Sequence, residues 1–227
     1  GTDDWRGSDG RLHVETGHYP NPLYDAFLEA GEQAGQGRSA DLNGFQPEGV
    51  ARLDITKFNG RRCSAATAHL KPVLQRKNLT EFAEAETDNI IMRKNRAVGV
   101  KFRRHGMSYV ARAENEVILC GGAINTPKLL MLSGIGPKNQ LKSCDIRLRL
   151  DLPGVGQNLQ DHAKIRLQFA CKKRFDFHRI GNPLTKSIAG IEWALFRRGI
   201  ATSSVWEAGG LVRSNDNIAY PNLQYHF

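Results

Sequence analysis

The first strongly patterned stretch of the chain predicts an amphipathic helix. Apolar residues recur every three or four positions between residues 23 and 34, which is the spacing of one helical face. Asn21 suits the N-cap, Pro22 suits the first helical position, and Gly35 suits the residue that ends the helix. Before this helix, the apolar residues at the two ends of the segment 12–14 predict a short strand.

The middle of the chain alternates in the way that half-buried β-strands do. Strands are predicted at residues 89–92, 97–102 and 108–113. Turn-forming pairs separate them, Lys94-Asn95 after the first strand and His105-Gly106 after the second. Strands joined by such short turns form an antiparallel meander.

A tight corner is predicted after this meander. Residues 116–119 contain the apolar run Val117-Ile118-Leu119, which predicts a short buried strand. Gly121 and Gly122 follow, and glycine permits backbone angles and close approaches that a side chain forbids. A corner of this kind directs unpaired N–H groups and a positive helix end toward a ligand such as a phosphate or an electron-rich ring. The alternative is a tight corner that binds no ligand.

The helix after the corner is predicted to begin at Pro127. Asn125 or Thr126 can cap it, three leucines between residues 129 and 132 can pack it, and Gly134 can end it.

Composition narrows the function classes. The 227 residues are 40% hydrophobic and 24% charged, as in an ordinary soluble globular protein, with a net charge of +9. The basic residues form small clusters without interleaved aromatic residues, which favours solvated faces over a nucleic-acid site and leaves an anionic partner or membrane surface as the alternative. No metal-ligand spacing, disulfide framework or G-x-S-x-G elbow occurs, and the absence of a leader or long apolar run predicts that the protein is not secreted.

Two long motifs carry a resemblance to a known family. GGAINTPKLLMLSGIG, residues 121–136, and LPGVGQNLQDH, residues 152–162, resemble the glucose–methanol–choline (GMC) family of flavin-dependent alcohol oxidoreductases. Further stretches resemble its choline dehydrogenase branch, in the expected order: WRGSDGRLHV, NPLYDAFLEAGEQAG, DLNGFQPEG, GRRCSAATAHL, NRAVGV, WEAGGLVRS and PNLQYHF.

The resemblance implies a mixed α/β fold. It would combine a partial FAD-binding domain of GMC type, containing the β-meander, with part of an antiparallel-sheet substrate domain. Residues 42–162 would belong to the FAD-binding domain, and residues 1–41 and 163–227 to the substrate domain.

The resemblance also implies an activity. The intact protein would use FAD to oxidise a primary alcohol, with choline converted to betaine aldehyde. Family members bind the FAD pyrophosphate with an early G-x-G-x-x-G unit and act on the alcohol with a late histidine. Both are expected to lie outside this chain, which would then be an internal fragment, without a catalytic residue and inactive alone. The electron acceptor, oxygen or quinone, stays open.

Four residues are predicted from the resemblance to contact the cofactor. Gly121, Gly122 and Ala123 belong to the glycine corner. Glu86 stands where family members commonly place a valine beside the adenine, so only its backbone would suit the contact. The unusual Glu86, with a variant segment at residues 48–51, favours the rival reading of a truncated paralogue that lost its cofactor and has a structural or binding role.

Glu207 is the predicted substrate-binding residue, because choline-oxidising relatives place a glutamate at the matching position against the trimethylammonium group. The alternative is an ordinary salt-bridged or edge-strand glutamate. Trp206 beside it would point to the opposite face of a strand. Asp161 and His162 are interpreted as loop-fixing polar residues rather than an acid–base pair. The location implied is mitochondrial in a eukaryote, and cytoplasmic or associated with the inner membrane in a bacterium.

Overall fold

The computed structural model describes residues 4–173, 175 and 181–227, and it divides into two compact units. The first unit comprises Gly1–Leu79 and Gln168–Phe227, and the second comprises Thr80–Leu167. Arg174 and His178 lie outside the described residues.

The described elements are as follows in chain order. The strands are β1 (Glu15–Thr16), β2 (Gly49–Arg52), β3 (Asp54–Ile55), β4 (Lys57–Phe58), β5 (Arg61–Arg62), β6 (Glu86–Arg93), β7 (Arg96–Arg104), β8 (Met107–Arg112), β9 (Ile135–Gly136), β10 (Leu150–Asp151), β11 (Ala208–Val212) and β12 (Leu223–His226). The α-helices are α1 (Pro22–Gln33), α2 (Gly122–Leu132), α3 (Lys138–Ser143) and α4 (Pro183–Phe196). Short π and 3₁₀ turns occupy Ala66–Leu70, Lys71–Val73 and Ile200–Thr202.

The core of the first unit lies between α1 and a three-stranded antiparallel sheet. The sheet has the strand order β12-β11-β2, so the central strand joins segments that are far apart in the sequence. Tyr24 and Leu28 of α1 pack with Val50 and Ala208 of the sheet. Gly31 permits this approach, because a Cβ atom there would lie 2.7 Å from the methyl groups of Val50.

The predicted first helix is confirmed. The side chain of Asn21 accepts a hydrogen bond of 3.0 Å from the Leu23 N–H, and Pro22 is the first helical residue. The helix ends before Gly35, whose φ of 77° requires a residue tolerant of the left-handed region. The strand predicted at residues 12–14 is wrong: the pairing begins at Glu15, because β1 is held in register by β3, and Leu12 and Val14 are exposed.

The predicted meander is also confirmed. β6, β7 and β8 form an antiparallel three-stranded sheet in the second unit. Helix α2 is attached to it through Ser133, whose Oγ accepts a hydrogen bond of 2.8 Å from the Ile90 N–H and donates one of 2.6 Å to the Leu129 carbonyl.

Two predictions around the glycine corner are wrong. Residues 116–119 form no strand, and Ile118 is 73% exposed, because no strand among the described residues pairs with this apolar run. Helix α2 begins at Gly122 rather than at Pro127, which lies inside it. Pro127 lacks the N–H that would bond the Ala123 carbonyl, and its ring crowds the preceding turn, so the helix includes this residue at a cost. The predicted end is confirmed, with Gly134 at a φ of 84°.

The two compact units do not follow the segment boundaries expected from the sequence. Residues 42–79 lie in the first unit, because β2 pairs with β11. The assignment of residues 42–162 to the FAD-binding domain of the intact protein stays a prediction.

Candidate functional site

Glu207 is the most deeply buried charged residue of the candidate site. It directly precedes β11, its side chain is inaccessible to solvent, and its carbonyl accepts a hydrogen bond of 2.9 Å from the Leu53 N–H. Carboxylate oxygen Oε2 accepts a hydrogen bond of 2.6 Å from the Tyr19 N–H. The other oxygen, Oε1, is buried and has no hydrogen-bond partner among the described residues. A buried carboxylate oxygen without a donor is costly, so this atom marks a place where a cation would be stabilised.

Gly17 makes the room for this carboxylate. A Cβ atom at position 17 would lie 2.8 Å from the Cβ of Glu207 and 3.1 Å from its Oε2. The absence of a side chain at Gly17 therefore lets the segment from residue 17 to Tyr19 lie directly against Glu207.

Tyr24 lies next to the same carboxylate. It is 2% exposed, and its hydroxyl donates a hydrogen bond of 2.6 Å to the Val205 carbonyl. Burial and the neighbouring Glu207 charge raise the pKa of Tyr24 to about 12. The phenol is therefore protonated at neutral pH and acts as a hydrogen-bond donor.

Trp206 and Glu207 have different surroundings although they are adjacent. Trp206 is 50% exposed and its ring lies 6.2 Å from that of His226, whereas Glu207 is fully buried. Strand β11 begins at Ala208, so the strand on which the expectation of opposite faces rested does not include Trp206 and Glu207, although their exposures differ.

A cavity of the first unit lies away from Glu207. It has a volume of about 1150 Å³ and is lined by four arginines together with His13 and Phe58, whose rings stack at 4.1 Å. The arginines are Arg11, Arg61, Arg62 and Arg197. Glu207 lines neither this cavity nor a second one of about 580 Å³ beside Glu15 and Tyr19.

The glycine corner forms the start of α2 in the second unit. Gly121 occupies the N-cap position, and no side chain caps the helix. Gly122 has a φ of 76°, and a Cβ atom there would have no neighbour within 4 Å. Gly121, Gly122 and Ala123 are all exposed. An open backbone with an uncapped, positive helix end fits an electron-rich group such as part of FAD.

Glu86 is the first residue of β6, and its carboxylate forms an ion pair with Arg103. Its Oε2 lies 3.1 Å from Nη2 of Arg103, which also pairs with Asp88 at 2.8 Å. The side chain is exposed and held along the sheet by Arg103, so a cofactor contact at this position would use the backbone.

The second glycine-rich loop is held by local hydrogen bonds. Asp161 accepts a hydrogen bond of 2.8 Å from the His162 N–H, and Gln160 donates one of 3.1 Å to Asn158. These contacts agree with the interpretation of Asp161 and His162 as loop-fixing residues. Gly156 lies against α2, since a Cβ atom there would lie 2.5 Å from the terminal methyl group of Met131.

Sequence reasoning missed the residues that surround Glu207. Gly17, Tyr19 and Tyr24 precede it by more than 180 positions, and no local pattern connects them with it. Across the described parts of the chain, no group of three metal-ligating side chains occurs. In the same parts, no helix has both the length and the apolar character needed to cross a bilayer.

Comparison with known proteins decides the family. The model of the family described as GMC oxidoreductase matches residues 4–164. The chain belongs to the GMC oxidoreductase family. The mixed helix and antiparallel-sheet architecture expected from the family motifs is confirmed by the structural neighbours below.

Relatives of known function come from the choline branch. The chain is 45% identical to human mitochondrial choline dehydrogenase over 227 residues, which is all of this chain and 38% of that protein. It is 43% identical to the oxygen-dependent choline dehydrogenase of Staphylococcus xylosus, with 99% of this chain and 40% of that protein covered. The chain therefore spans about two fifths of the length of these GMC relatives.

Solved structures show the same fold. An FAD-dependent oxidoreductase from Chaetomium thermophilum matches with a TM-score of 0.79 and 24% identity, over 91% of this chain and 37% of that protein. A formate oxidase from Aspergillus oryzae matches with a TM-score of 0.83 and 22% identity, over 97% of this chain and 43% of that protein. At these identities the likeness concerns the GMC fold alone.

Proposed function

We propose that the intact protein is an FAD-dependent alcohol dehydrogenase that oxidises choline to betaine aldehyde. The observation that carries the proposal is the buried Glu207, with one carboxylate oxygen bound by the Tyr19 N–H and the other without a partner among the described residues. The similarity to choline dehydrogenases over the whole chain supports the same substrate.

The chemistry of choline explains why a buried carboxylate suits it. A quaternary ammonium group has no N–H donor, so a protein recognises it by charge and by aromatic faces. A carboxylate at about 4 Å contributes roughly 4 kcal/mol at an effective dielectric constant near 20, before the cost of desolvation is subtracted. Glu207 is already desolvated in the fold, and Oε1 is its carboxylate oxygen without a partner among the described residues. Because Glu207 lines neither cavity described above, the pairing of Oε1 with a cation requires that the site open toward the substrate.

The proposed contacts with the cofactor come from two places, the glycine corner at the start of α2 and the first residue of β6. Gly121, Gly122 and Ala123 would hold an electron-rich part of FAD against the uncapped helix end, and Glu86 would contribute its backbone. FAD, when bound, supplies the acceptor for the hydride that leaves the alcohol carbon. The residues of this chain would bind the cofactor and orient the substrate. The histidine expected to accept the hydroxyl proton is not among them.

The test compares choline with its neutral isostere, in which carbon replaces the quaternary nitrogen. In the intact, FAD-loaded protein, Glu207→Gln keeps the size of the side chain and removes its charge. We expect kcat/KM for choline to fall about 100-fold while that for the isostere changes little, because only choline carries the charge that Glu207 attracts. The matched control is Glu29→Gln, since Glu29 is exposed on α1. Equal losses for both alcohols would refute the assignment of Glu207 to the cation.

The second candidate is a cofactor-less paralogue with a structural or binding role. Glu86 favours it, because a carboxylate paired with Arg103 stands where family members commonly place a valine beside the adenine. The visible absorbance of the purified intact protein distinguishes the two: a flavin spectrum supports the dehydrogenase, and a colourless protein that gains no absorbance with added FAD supports the paralogue.

The electron acceptor of the intact protein can be measured directly. Oxygen consumption against reduction of a soluble quinone by the intact protein would separate the two acceptors. We propose a mitochondrial location in a eukaryote, as the human relative is named mitochondrial, and a cytoplasmic or inner-membrane-associated one in a bacterium.

A further inference from the structure

Val205, two residues before Glu207, has a strained backbone. Its φ is 74°, in the left-handed region that β-branched residues avoid. Such a conformation persists only where surrounding contacts hold it, and residues of this kind concentrate at functional sites. The contacts of Val205 therefore bear on the position of Glu207.

The Tyr24 hydroxyl holds the Val205 peptide. It donates a hydrogen bond of 2.6 Å to the Val205 carbonyl. The Tyr24 ring is itself packed, with the Arg52 guanidinium 4.9 Å from its centroid and the Phe227 ring nearly perpendicular to it at a centroid distance of 6.1 Å. With 2% exposure, the ring has no room to move away from this bond.

The other contacts of Glu207 hold its carboxylate and its own carbonyl, not the backbone that precedes it. The Tyr19 N–H fixes Oε2, and Gly17 lies so close that a Cβ atom there would clash. The Leu53 N–H fixes the Glu207 carbonyl on the C-terminal side. On the N-terminal side, Ser204 Oγ donates a hydrogen bond of 2.8 Å to the Trp206 carbonyl, and Ser203 Oγ accepts one of 3.0 Å from the Val205 N–H. Tyr24 is the anchor that reaches this segment from another element, through the Val205 carbonyl.

We propose that Tyr24 is a positioning residue that determines preference for a cationic alcohol. Its hydroxyl holds Val205 in the left-handed conformation, and this conformation directs the free oxygen of Glu207. The proposal rests on the proposed function of Glu207. Small displacements of a positioned charge change transition-state binding strongly, so the loss of one hydroxyl is expected to be measurable.

The test is Tyr24→Phe in the intact, FAD-loaded protein, which removes the hydroxyl and keeps the ring. The readout is the ratio of kcat/KM for choline to that for the neutral isostere. We expect this ratio to fall about tenfold, chiefly through KM for choline, as for one buried hydrogen bond. Tyr225→Phe is the matched control and should leave the ratio unchanged, because the Tyr225 hydroxyl makes no hydrogen bond with the described residues, although its ring lies 6.4 Å from that of Phe27.

A second background tests the role of Val205. Glycine adopts positive φ without support, so in Val205→Gly protein the change Tyr24→Phe should lower the ratio only about threefold. Equal falls in the two backgrounds would overturn the link through Val205. Should Tyr24→Phe alone fail to fold, judged by flavin content, the comparison is made within the Val205→Gly background, and a fall of tenfold or more there overturns the link through Val205.

The outcomes separate this proposal from the proposed function. A wild-type protein that does not prefer choline over the isostere refutes the proposed function. If wild type prefers choline and Glu207→Gln abolishes the preference, an unchanged ratio in Tyr24→Phe refutes the positioning role alone. An equal loss for both alcohols in Tyr24→Phe also refutes it, because a general structural defect does not distinguish the charge of the substrate.

Discussion

Adding one methyl group at Gly17 should displace Glu207. The φ of Gly17 lies outside the left-handed region, so alanine is compatible with the backbone, and the whole effect of Gly17→Ala comes from the space that the methyl group needs. That methyl carbon would lie 2.8 Å from Cβ, 3.0 Å from Cγ and 3.1 Å from Oε2 of Glu207. Carbon atoms in contact prefer a separation of about 3.5–4.0 Å.

The size of the effect follows from what surrounds Glu207. The side chain is fully buried, so it must move about 1 Å against packed neighbours to relieve the clash. Overpacking of this kind costs about 1–3 kcal/mol, and distortion of the bond from the Tyr19 N–H adds to it. Alanine also restricts the unfolded chain more than glycine does, which raises the free energy of unfolding by about 0.4–1 kcal/mol. The net expected loss in the free energy of unfolding is about 1–3 kcal/mol.

The assay is urea unfolding of the intact protein, with Gly10→Ala as the control. A Cβ atom at Gly10 would have no neighbour within 4 Å, so this variant should match or slightly exceed the wild-type midpoint. Gly17→Ala should unfold at a lower urea concentration and also lose preference for choline over its neutral isostere. If Gly17→Ala and Gly10→Ala agree within about 0.5 kcal/mol, the close contact with Glu207 does not constrain the protein as argued.

Three further predictions concern other contacts. The Arg6 guanidinium holds the pKa of Asp41 at about 2, below its unfolded value, so the stability that Asp41 contributes is present above pH 4 and is lost as the pH falls toward 2. As the pH falls from 4 to 2, the urea midpoint of Asp41→Asn should therefore decrease less than that of wild type. Equal decreases in the two proteins would contradict the stabilising role of the ion pair. Gly122→Ala forces alanine to a φ of 76°, which costs about 1–2 kcal/mol, so flavin content and thermal stability should drop; full retention of both would show that the corner tolerates a side chain. Ser133→Ala leaves the buried Ile90 N–H without its acceptor, costs about 1–3 kcal/mol, and should speed hydrogen exchange of that amide; an unchanged exchange rate would refute the bond.

Local patterns predicted the elements whose ends are fixed by nearby residues. Helix α1 has its cap, its first proline and its terminal glycine within one continuous stretch, so its bounds follow from the sequence. The meander has short turns between neighbouring strands, which makes its pairing local as well.

Predictions failed where the deciding partner lies outside the local stretch. The apolar run at residues 117–119 has the composition of a strand, but a strand also needs a pairing partner, and none of the described residues provides one. Pro127 was expected to start α2 because of its preference for first positions. The turn at Gly122 starts the helix five residues earlier, and the helix includes Pro127 although this residue lacks one hydrogen bond and crowds the preceding turn.

The sequence by itself determined the GMC family, the first helix and the meander, because each family motif and each set of helix or turn signals is a local stretch of the chain. The substrate-binding role of Glu207 stays a prediction. Only the tertiary structure decided the surroundings of that glutamate. It brings Gly17, Tyr19 and Tyr24 against Glu207 through the pairing of β2 with β11 and the packing of α1 on that sheet. Contacts between segments so far apart depend on how several elements bury their apolar faces together, and this information is distributed over the whole chain rather than in any one motif.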